Sequence, residues 1–449
     1  MKHANPFLEL LRTLATLAAI VAGLAIAVGL AWLGSNHFDT RLTPAAKALL
    51  APRHDPLAPS GNIFVALVGF DATAAGAEHA GASRAAHLTL QGIGQFRPWF
   101  ISSMWQTAKK HRTQIAALIA SNRELYQRYL DMQQLQGYFD SAPPGSYRRY
   151  FLLPHQVQEL FLAEVAEKIQ TGMPAQQEAA LAALRRDMRM WRTVLHGYGG
   201  LASKIMAAIS LRADFDLLAD MVTDPDFHPA LPGSGMESAV TPFPLQDWKI
   251  GDAYGWEMRN SAALLEAMAR PATRPDRSDA SIGNRISAQL FKLHATENLE
   301  ADLMQRLSAL ADGSPGNFIE RRDAYRKWES REFAFRTSWY NPVGRMILAN
   351  AAGAHEDDYP ARVLDIAAFQ RLVCLAYQIR RRGLGAEDIP AFMKQHPEWS
   401  THPVDAKPFF WNPANGTLGF QPIGREVRSA RFSLKLVAGV LMAGPRTTR

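Results

Sequence analysis

Residues 13–33 read TLATLAAIVAGLAIAVGLAWL, a run of 21 residues without a charged side chain. An α-helix rises about 1.5 Å per residue, so a helix of this length spans about 30 Å, the thickness of the hydrocarbon core of a bilayer. A helix buried in a soluble protein rarely runs so far without a polar face. We therefore predict a transmembrane helix at residues 13–33.

The charges that flank this run predict its orientation. Lys2 and Arg12 precede it and Arg12 adjoins it, whereas the first basic residue after it is Arg41. Basic residues favour the cytoplasmic side of a membrane, so we expect a short cytoplasmic segment at residues 1–12 and a translocated remainder. The Ala-, Arg- and Leu-rich composition suggests a bacterium. The expected location is thus a bacterial inner membrane, with the bulk of the chain in the periplasm.

A cleaved signal peptide is the alternative interpretation of the same run. Signal peptides have apolar regions of about 7–15 residues followed by a small-x-small cleavage site. Gly29-Leu30-Ala31 has the form of such a site, but the apolar run is longer and continues through Trp32 and Leu33. We prefer an uncleaved signal-anchor, in which Trp32 lies at the membrane interface where aromatic side chains are enriched.

Composition and charge limit the classes of partner. The chain has 449 residues, 47% of them apolar and 20% charged, as in an ordinary folded protein. Its net charge of +7 is a small excess that suits an anionic lipid surface or an acidic partner. No helix-turn-helix, zinc-finger or RNA-binding pattern is present, so we do not expect a nucleic acid. The expected partners are the lipid bilayer, through residues 13–33, and another envelope protein.

The chain has one cysteine, Cys374, within the apolar run LVCLA. A single cysteine forms no intramolecular disulfide, and in such a run it behaves as a small buried hydrophobe. A nucleophilic role needs exposure and a nearby base. We predict that Cys374 is buried.

Behind the membrane segment the sequence predicts a mainly α fold, an irregular helical bundle closed by a small antiparallel sheet. Apolar periodicity and Gly/Pro breaks predict one long helix from about residue 103 to the loop at 141–145, with further helices joined by short breaks. Such spacing favours antiparallel packing. Residues 62–70, NIFVALVGF, fit either a buried strand or a short helix, and periodicity does not decide between them. The further helices are expected at 155–171, 175–195, 201–222, 255–269, 282–310, 318–335, 342–352, 359–382 and 386–395.

The C-terminal region changes character. Asn415-Gly416 lies between two apolar and aromatic runs, which is a strong hairpin signal. Phe432, Leu434 and Leu436 alternate with polar residues, which is the period of a strand. The predicted regions are therefore a linker at 34–61, a helical region at 62–230, a second helical region at 231–400 whose separation from the first is left open, and a small β region with a basic tail at 401–449.

Local catalytic signatures are absent from the sequence. It contains no GxxxxGK[ST] phosphate loop, no GxGxxG after a strand, no HExxH zinc pair, no GxSxG elbow and no EF-hand loop. We therefore expect no cofactor, assign no cofactor-binding or metal-binding residues, and leave any catalytic residues unknown.

One cluster combines an imidazole with three acids, His355-Glu356-Asp357-Asp358. Such a set suits a divalent cation. The preferred interpretation is a solvated helix start, because acidic side chains near a helix N-terminus complement its dipole and cap its free amides.

Two further sets of polar residues share predicted helix faces. His294 and Glu297 are three apart, and Asp216 and Asp220 are four apart, with Asp214 two residues before Asp216. Paired carboxylates or a His–Glu pair suit acid–base or metal chemistry. Two ligands alone do not make a site, and we prefer polar surface for both sets.

The stretch at residues 328–340, WESREFAFRTSWY, is the richest in aromatics. Aromatic and Arg side chains are favoured at binding surfaces, so this stretch is a candidate groove for a peptide or glycan. The alternative, which we prefer, is the end of a core helix leading into a turn. The side chains concerned are Phe333, Phe335, Trp339, Tyr340, Arg331 and Arg336.

Three functions remain open on the sequence alone. The preferred one is a membrane-anchored envelope protein that binds or scaffolds other envelope proteins. The second is an anchored envelope hydrolase or lyase whose site, drawn from His294, His355 and the acidic clusters, is distributed over the helical region. The third is lipid binding by the basic segment at 425–449, for which solvated surface is the preferred alternative.

Overall fold

The computed structural model describes residues 6–72, 87–94, 103–143, 151–227, 235–269, 289–334, 339–352, 356–424 and 432–436 of the chain. The described part is 69% helical, with 17 helices and a three-stranded antiparallel sheet near the C-terminus. This confirms the predicted fold class.

The elements follow one another along the chain. The helices are α1 (Pro6–Ser35), α2 (Pro44–Leu50), α3 (Ile63–Val68), α4 (Met104–Lys110), α5 (Arg112–Ser121), α6 (Arg123–Met132), α7 (Leu152–Thr171), α8 (Pro174–His196), α9 (Leu201–Thr223), α10 (Met236–Val240), α11 (Asp252–Ala269), α12 (Leu293–Asp312), α13 (Phe318–Glu332), α14 (Pro342–Ala352), α15 (Asp358–Arg381), α16 (Ile389–Gln395) and α17 (Pro397–Ser400). The strands are β1 (Phe410–Asn412), β2 (Thr417–Gly419) and β3 (Ser433–Lys435).

The N-terminal apolar run forms one continuous helix, α1, of 30 residues. Its segment Thr13–Ser35 is long and apolar enough to span a membrane. No side chain of this segment is buried against the described part of the protein. This segment therefore exposes a surface without charged side chains on all sides, which a helix of a water-soluble protein seldom does.

The chain divides into two compact units. Unit 1 contains the described residues of 1–51, 258–305 and 324–355, and unit 2 contains those of 52–257, 306–323 and 356–449. Both units draw on segments that are far apart in the sequence.

The core of unit 2 is built from α7, α8 and α9, which pack consecutively against one another, and from α15, which packs on α9. Short connections at 172–173 and 197–200 reverse the chain between these long helices, as the sequence predicted. Their shared interface buries large side chains completely, among them Phe161, Trp191, Phe215 and Phe369. Each side chain of this size contributes roughly 1.5–3 kcal/mol by leaving water, so these helices form a rigid scaffold for the surface they carry.

The prediction of one long helix from residue 103 is wrong. The structure has three short helices there, α4, α5 and α6, which are separated at His111 and Asn122. The Asn122 side chain donates to the carbonyl oxygen of Gln91 at 3.0 Å and accepts from the amide of Gln91 at 2.7 Å. A buried Asn that bonds a passing segment competes with the helical ladder, which explains the break there.

The apolar run at residues 62–70 forms a helix, α3. The Asn62 side chain caps it by accepting from the amide of Phe64 at 3.0 Å. The same side chain donates to the carbonyl oxygen of Phe139 at 2.9 Å. Asn62 therefore joins α3 to the segment that follows α6.

The predicted C-terminal hairpin is present. β1 and β2 are antiparallel, and β3 pairs antiparallel with β2. Gly416 in the connecting turn has a φ of 66°, a left-handed conformation that favours glycine. Leu418 and Leu434 face each other across the β2–β3 pair and are buried.

Candidate functional site

The turn from α8 to α9 is built around a buried lysine. Lys204 has no exposed surface, and its Nζ donates to the carbonyl oxygen of Leu195 at 2.8 Å and to that of Gly197. These carbonyls belong to the C-terminal end of α8, where a cation is favoured. Asp252 lies 3.4 Å from the ammonium, and burial lowers the pKa of Lys204. The lysine thus fixes the geometry of this turn.

Two acidic side chains lie beside the same turn. Glu257 accepts from the amide of Leu201, the first residue of α9, at 2.7 Å. The amide of Asp140 donates to the carbonyl oxygen of Tyr198 at 2.8 Å. Burial, with a smaller contribution from the nearby charge of Asp140, raises the pKa of Glu257 to about 7. Burial also raises the pKa of Asp140 to about 6. Both carboxyls therefore change charge near neutral pH.

An open groove of about 580 Å³ runs along α8 beside this turn. One wall is basic, with Arg189, Arg192 and His196 spaced three and four residues apart on one face of α8. The opposite wall is aromatic and apolar. The lining residues are Pro56, Leu57, Gln136, Gly137, Tyr138, Phe139, Arg189, Arg192, Thr193, His196, Gly197 and Tyr198.

The groove carries excess positive charge. The buried Asp247 pairs with Arg192 and, at 3.0 Å, with Nε2 of His196. Arg189 makes no ion pair within the described ranges. The Arg53 guanidinium lies 5.2 Å from the centre of the Tyr198 ring, a cation–π arrangement. Asp247 therefore pairs with one arginine and one histidine, while Arg189 and Arg53 add two further guanidinium groups beside the groove.

A second set of acids is enclosed in the core of unit 2. Asp187 and Asp214 lie on neighbouring helices, and neither has exposed surface. Tyr129 and Gln133 donate to Asp187 Oδ1 at 2.6 and 2.8 Å, and Gln158 donates to its Oδ2 at 2.8 Å. Burial and the charge of Asp187 raise the pKa of Asp214, so Asp214 is protonated and donates to Asp187. A substrate does not reach carboxyls without solvent-accessible surface, so this network is structural.

The three acids that the sequence grouped together have separate roles. Asp214 belongs to the buried network, Asp216 pairs with Arg212 at 3.0 Å, and Asp220 accepts from Ser103 at 2.6 Å. The structure therefore does not assemble them into one site.

His294 and Glu297 lie on α12, as predicted, and each has its own surroundings. Nδ1 of His294 lies 3.1 Å from the carbonyl oxygen of Thr40. Glu297 is buried, and burial raises its pKa. Of the two, His294 belongs to the attachment of residues 36–43 in unit 1.

His355 lies outside the described residues. Its neighbours Glu356, Asp357 and Asp358 stand at the start of α15, where Asp358 pairs with Arg362 at 2.8 Å. Asp357 and Asp358 are buried, so this helix start is not solvated as expected. Within the described ranges no three His, Cys, Asp or Glu side chains are close enough to hold a metal ion.

The aromatic stretch divides into a core part and an exposed part. Trp328 is buried and packs edge-to-face against Phe333, with ring centres 6.2 Å apart. Trp339 is exposed. Phe335 and Arg336 lie outside the described residues, as do residues 425–431 and 437–449 of the basic segment. Cys374 is buried as predicted, and burial raises its pKa to about 12.

No protein-family model, no curated protein and no solved structure matches this chain significantly. The groove was not predicted from the sequence. Its signal was the spacing of Arg189, Arg192 and His196 on one helix face, but basic residues so spaced usually face solvent. Tyr138 and Phe139 of the opposite wall lie about 50 residues before this face of α8, and Pro56 and Leu57 lie more than 130 residues before it, so no local pattern connects them to α8.

Proposed function

We propose that the protein is a single-pass, membrane-anchored envelope protein that binds an acidic segment of another envelope protein in the groove along α8. The groove carries this proposal, because it sets three guanidinium groups and an imidazole against an aromatic wall on a rigid helical scaffold. Arg and aromatic side chains are favoured at protein interfaces, and charge complementarity selects the partner.

The anchor in this proposal is α1, left uncleaved, in a bacterial inner membrane with its N-terminus in the cytoplasm. Its support is the length of the helix and the unburied apolar surface of Thr13–Ser35. Protease treatment of spheroplasts tests the orientation. We expect that protease added outside the spheroplasts degrades unit 2. Protection of unit 2 in intact spheroplasts would indicate the opposite orientation.

A photocrosslinking amino acid at Thr193, a residue that lines the groove, tests the binding proposal in intact membranes. We expect an adduct with one protein, whose crosslinked peptide is acidic by mass spectrometry. Charge reversal in R53E/R189E is expected to reduce this adduct at least tenfold. Arg53 and Arg189 are exposed, so the variant should fold normally.

The matched control is K110E/R123E. It makes the same change of net charge at exposed residues of unit 2 that do not line the groove. The adduct should persist in this control. Equal loss in both variants would show that the whole-protein charge, not the groove, attracts the partner. No protein adduct at Thr193 would refute binding in the groove.

A second candidate function is an anchored envelope hydrolase or lyase. The Asp140 and Glu257 carboxyls favour it, because acid–base catalysis at neutral pH needs groups that titrate there, and their pKa values are raised to about 6 and about 7. Purified protein incubated with isolated envelope polymers should then release soluble fragments. D140N and E257Q should each abolish the release, whereas D216N, at an ion pair with Arg212, should not. Release that survives both substitutions would exclude this pair.

A further inference from the structure

The segment that follows α1 is attached directly to unit 1. Asn36, the first residue after the helix, is fully buried, and its Nδ2 donates to the carbonyl oxygen of Trp339 at 2.9 Å. Its Oδ1 accepts from the amide of Asn341 at 2.8 Å. The Tyr340 hydroxyl donates to the carbonyl oxygen of Phe38 at 3.0 Å. Residues 339–341 therefore lie at the end of α1.

Hydrogen bonds continue along the next residues, which we call the exit strap (residues 36–43). Asp39 accepts from the amides of His294 and Ala295 at 2.8 and 3.0 Å, so it caps the N-terminus of α12. Asn298 accepts from the amide of Thr43 at 2.7 Å and donates to the carbonyl oxygen of Arg41 at 2.9 Å. The strap leaves little freedom between α1 and this part of unit 1.

Large apolar side chains are exposed beside this attachment. Phe38, Trp339 and Met346 are 75%, 49% and 59% exposed. Phe38 belongs to the strap, Trp339 is held by Asn36, and Met346 is in the second turn of α14, which begins directly after Asn341. We call these three side chains the exit patch.

Basic side chains of α13 are joined to the same region. Arg345, the neighbour of Met346, donates to the carbonyl oxygen of Glu332 at 2.9 Å and pairs with its carboxylate at 2.8 Å, which ties α14 to the end of α13. A shallow depression of about 640 Å³ on α13 is lined by Arg326, Lys327 and Arg331 together with Ala324 and Ser330. Aromatic side chains flanked by basic ones are typical of the headgroup level of a membrane.

We propose that unit 1 rests on the bilayer surface, with the exit patch inserted among the lipid headgroups around the end of α1. The proposal rests on the membrane anchor proposed above. Since the strap fixes Trp339 and Phe38 at the end of a helix whose apolar surface is unburied, the bilayer is the occupant that continues from that helix onto the patch. Transfer of these side chains from water to the interface is favourable.

Spin labels on single engineered cysteines test this contact in the full-length protein. The variants are F38C and M346C in the patch, L24C within α1 and M173C, an exposed residue of unit 2. Each is reconstituted into phosphatidylcholine vesicles containing phosphatidylglycerol, and collisions of the label with oxygen and with a nickel chelate are measured. Oxygen concentrates in lipid and the chelate stays in water. Cys374 is buried, so it should remain unlabelled.

The ratio of oxygen to nickel collisions should be severalfold higher at positions 38 and 346 than at position 173, and highest at position 24. A label in lipid at position 24 with water-like ratios at 38 and 346 would refute the surface contact while leaving the anchor intact. A water-like ratio at position 24 would refute the anchor itself. These substitutions lie on exposed side chains, and an unchanged circular dichroism spectrum verifies that each variant is folded.

Discussion

The side-chain oxygen of Asn298 accepts a 2.7 Å hydrogen bond from the amide of Thr43, 255 residues earlier in the sequence. The amide nitrogen of the same side chain donates to the carbonyl oxygen of Arg41. Together the two bonds hold the backbone on both sides of Leu42. A segment that the sequence presents as a proline-containing linker is thus attached to a helix of unit 1 immediately after α1.

This relationship predicts the protease sensitivity of the exit strap. Trypsin cleaves after Arg41 only when the local backbone opens, so N298A should raise the rate of that cleavage by about tenfold or more, since each lost bond contributes about 1 kcal/mol. N298D keeps the oxygen that binds Thr43 and should show an intermediate rate. Cleavage after the exposed Arg53 provides the internal reference. If N298A and the unaltered protein were cut after Arg41 at the same rate, the strap would not be attached in solution.

The helical fold was largely predictable because its long helices carry a periodic pattern of apolar residues in the sequence. The expected helices at 175–195 and 201–222 match α8 and α9 to within one residue at each end. Gly197, Gly199 and Gly200 separate them, and apolar residues recur along both. The break at Asn122 was not predictable, because its cause is a hydrogen bond to Gln91, a contact that exists only after folding.

Cys374 provides a test of packing in unit 2. Its thiol is buried in α15, and burial raises its pKa to about 12, so little thiolate forms at pH 8. We expect no reaction with a thiol-specific disulfide reagent in the native protein and one equivalent of reaction after unfolding in guanidinium. An exposed control, M173C, should react at once. Rapid reaction of the unaltered protein would show that α15 is not packed as described.

The buried network of Asp187 and Asp214 predicts that two similar substitutions, D187N and D214N, lower the free energy of unfolding by different amounts. Asp187 accepts from Tyr129, Gln133 and Gln158, so D187N turns a donor amide toward donors and should lower the free energy of unfolding by roughly 3 kcal/mol. Asp214 already carries a proton, so D214N keeps both a donor and an acceptor and should cost about 1 kcal/mol or less.

Urea unfolding of both variants, followed by circular dichroism at pH 7, measures the difference. A larger loss in D214N than in D187N would mean that the proton resides on Asp187 instead. Equal small losses would mean that water enters the network.

The candidate site was less predictable than the fold, for a physical reason. The candidates chosen from the sequence were residues close together along the chain, such as Asp214, Asp216 and Asp220, and the structure gives each a different partner. Glu257 was not predictable as a candidate residue, because nothing near it in the sequence is unusual. Its raised pKa comes from burial against the start of α9 and from Asp140, which is more than 100 residues away.

Glu257 makes stability depend on pH in a defined direction. Its pKa is raised from 4.5 to about 7 in the folded protein, so between these values the folded state holds a proton that the unfolded state has lost. The contribution of Glu257 to the free energy of unfolding is fully present below pH 4.5 and is lost as the pH rises through 7. The total loss is up to about 3 kcal/mol. E257Q retains the oxygen that accepts from Leu201 and cannot ionise, so it should be more stable than the unaltered protein at pH 8 and should flatten the fall in Tm between pH 5 and pH 8. E237Q, at an exposed ion pair with Arg381, should leave that fall in place. An unchanged pH profile in E257Q would show that Glu257 is solvated and that the turn between α8 and α9 is open in solution.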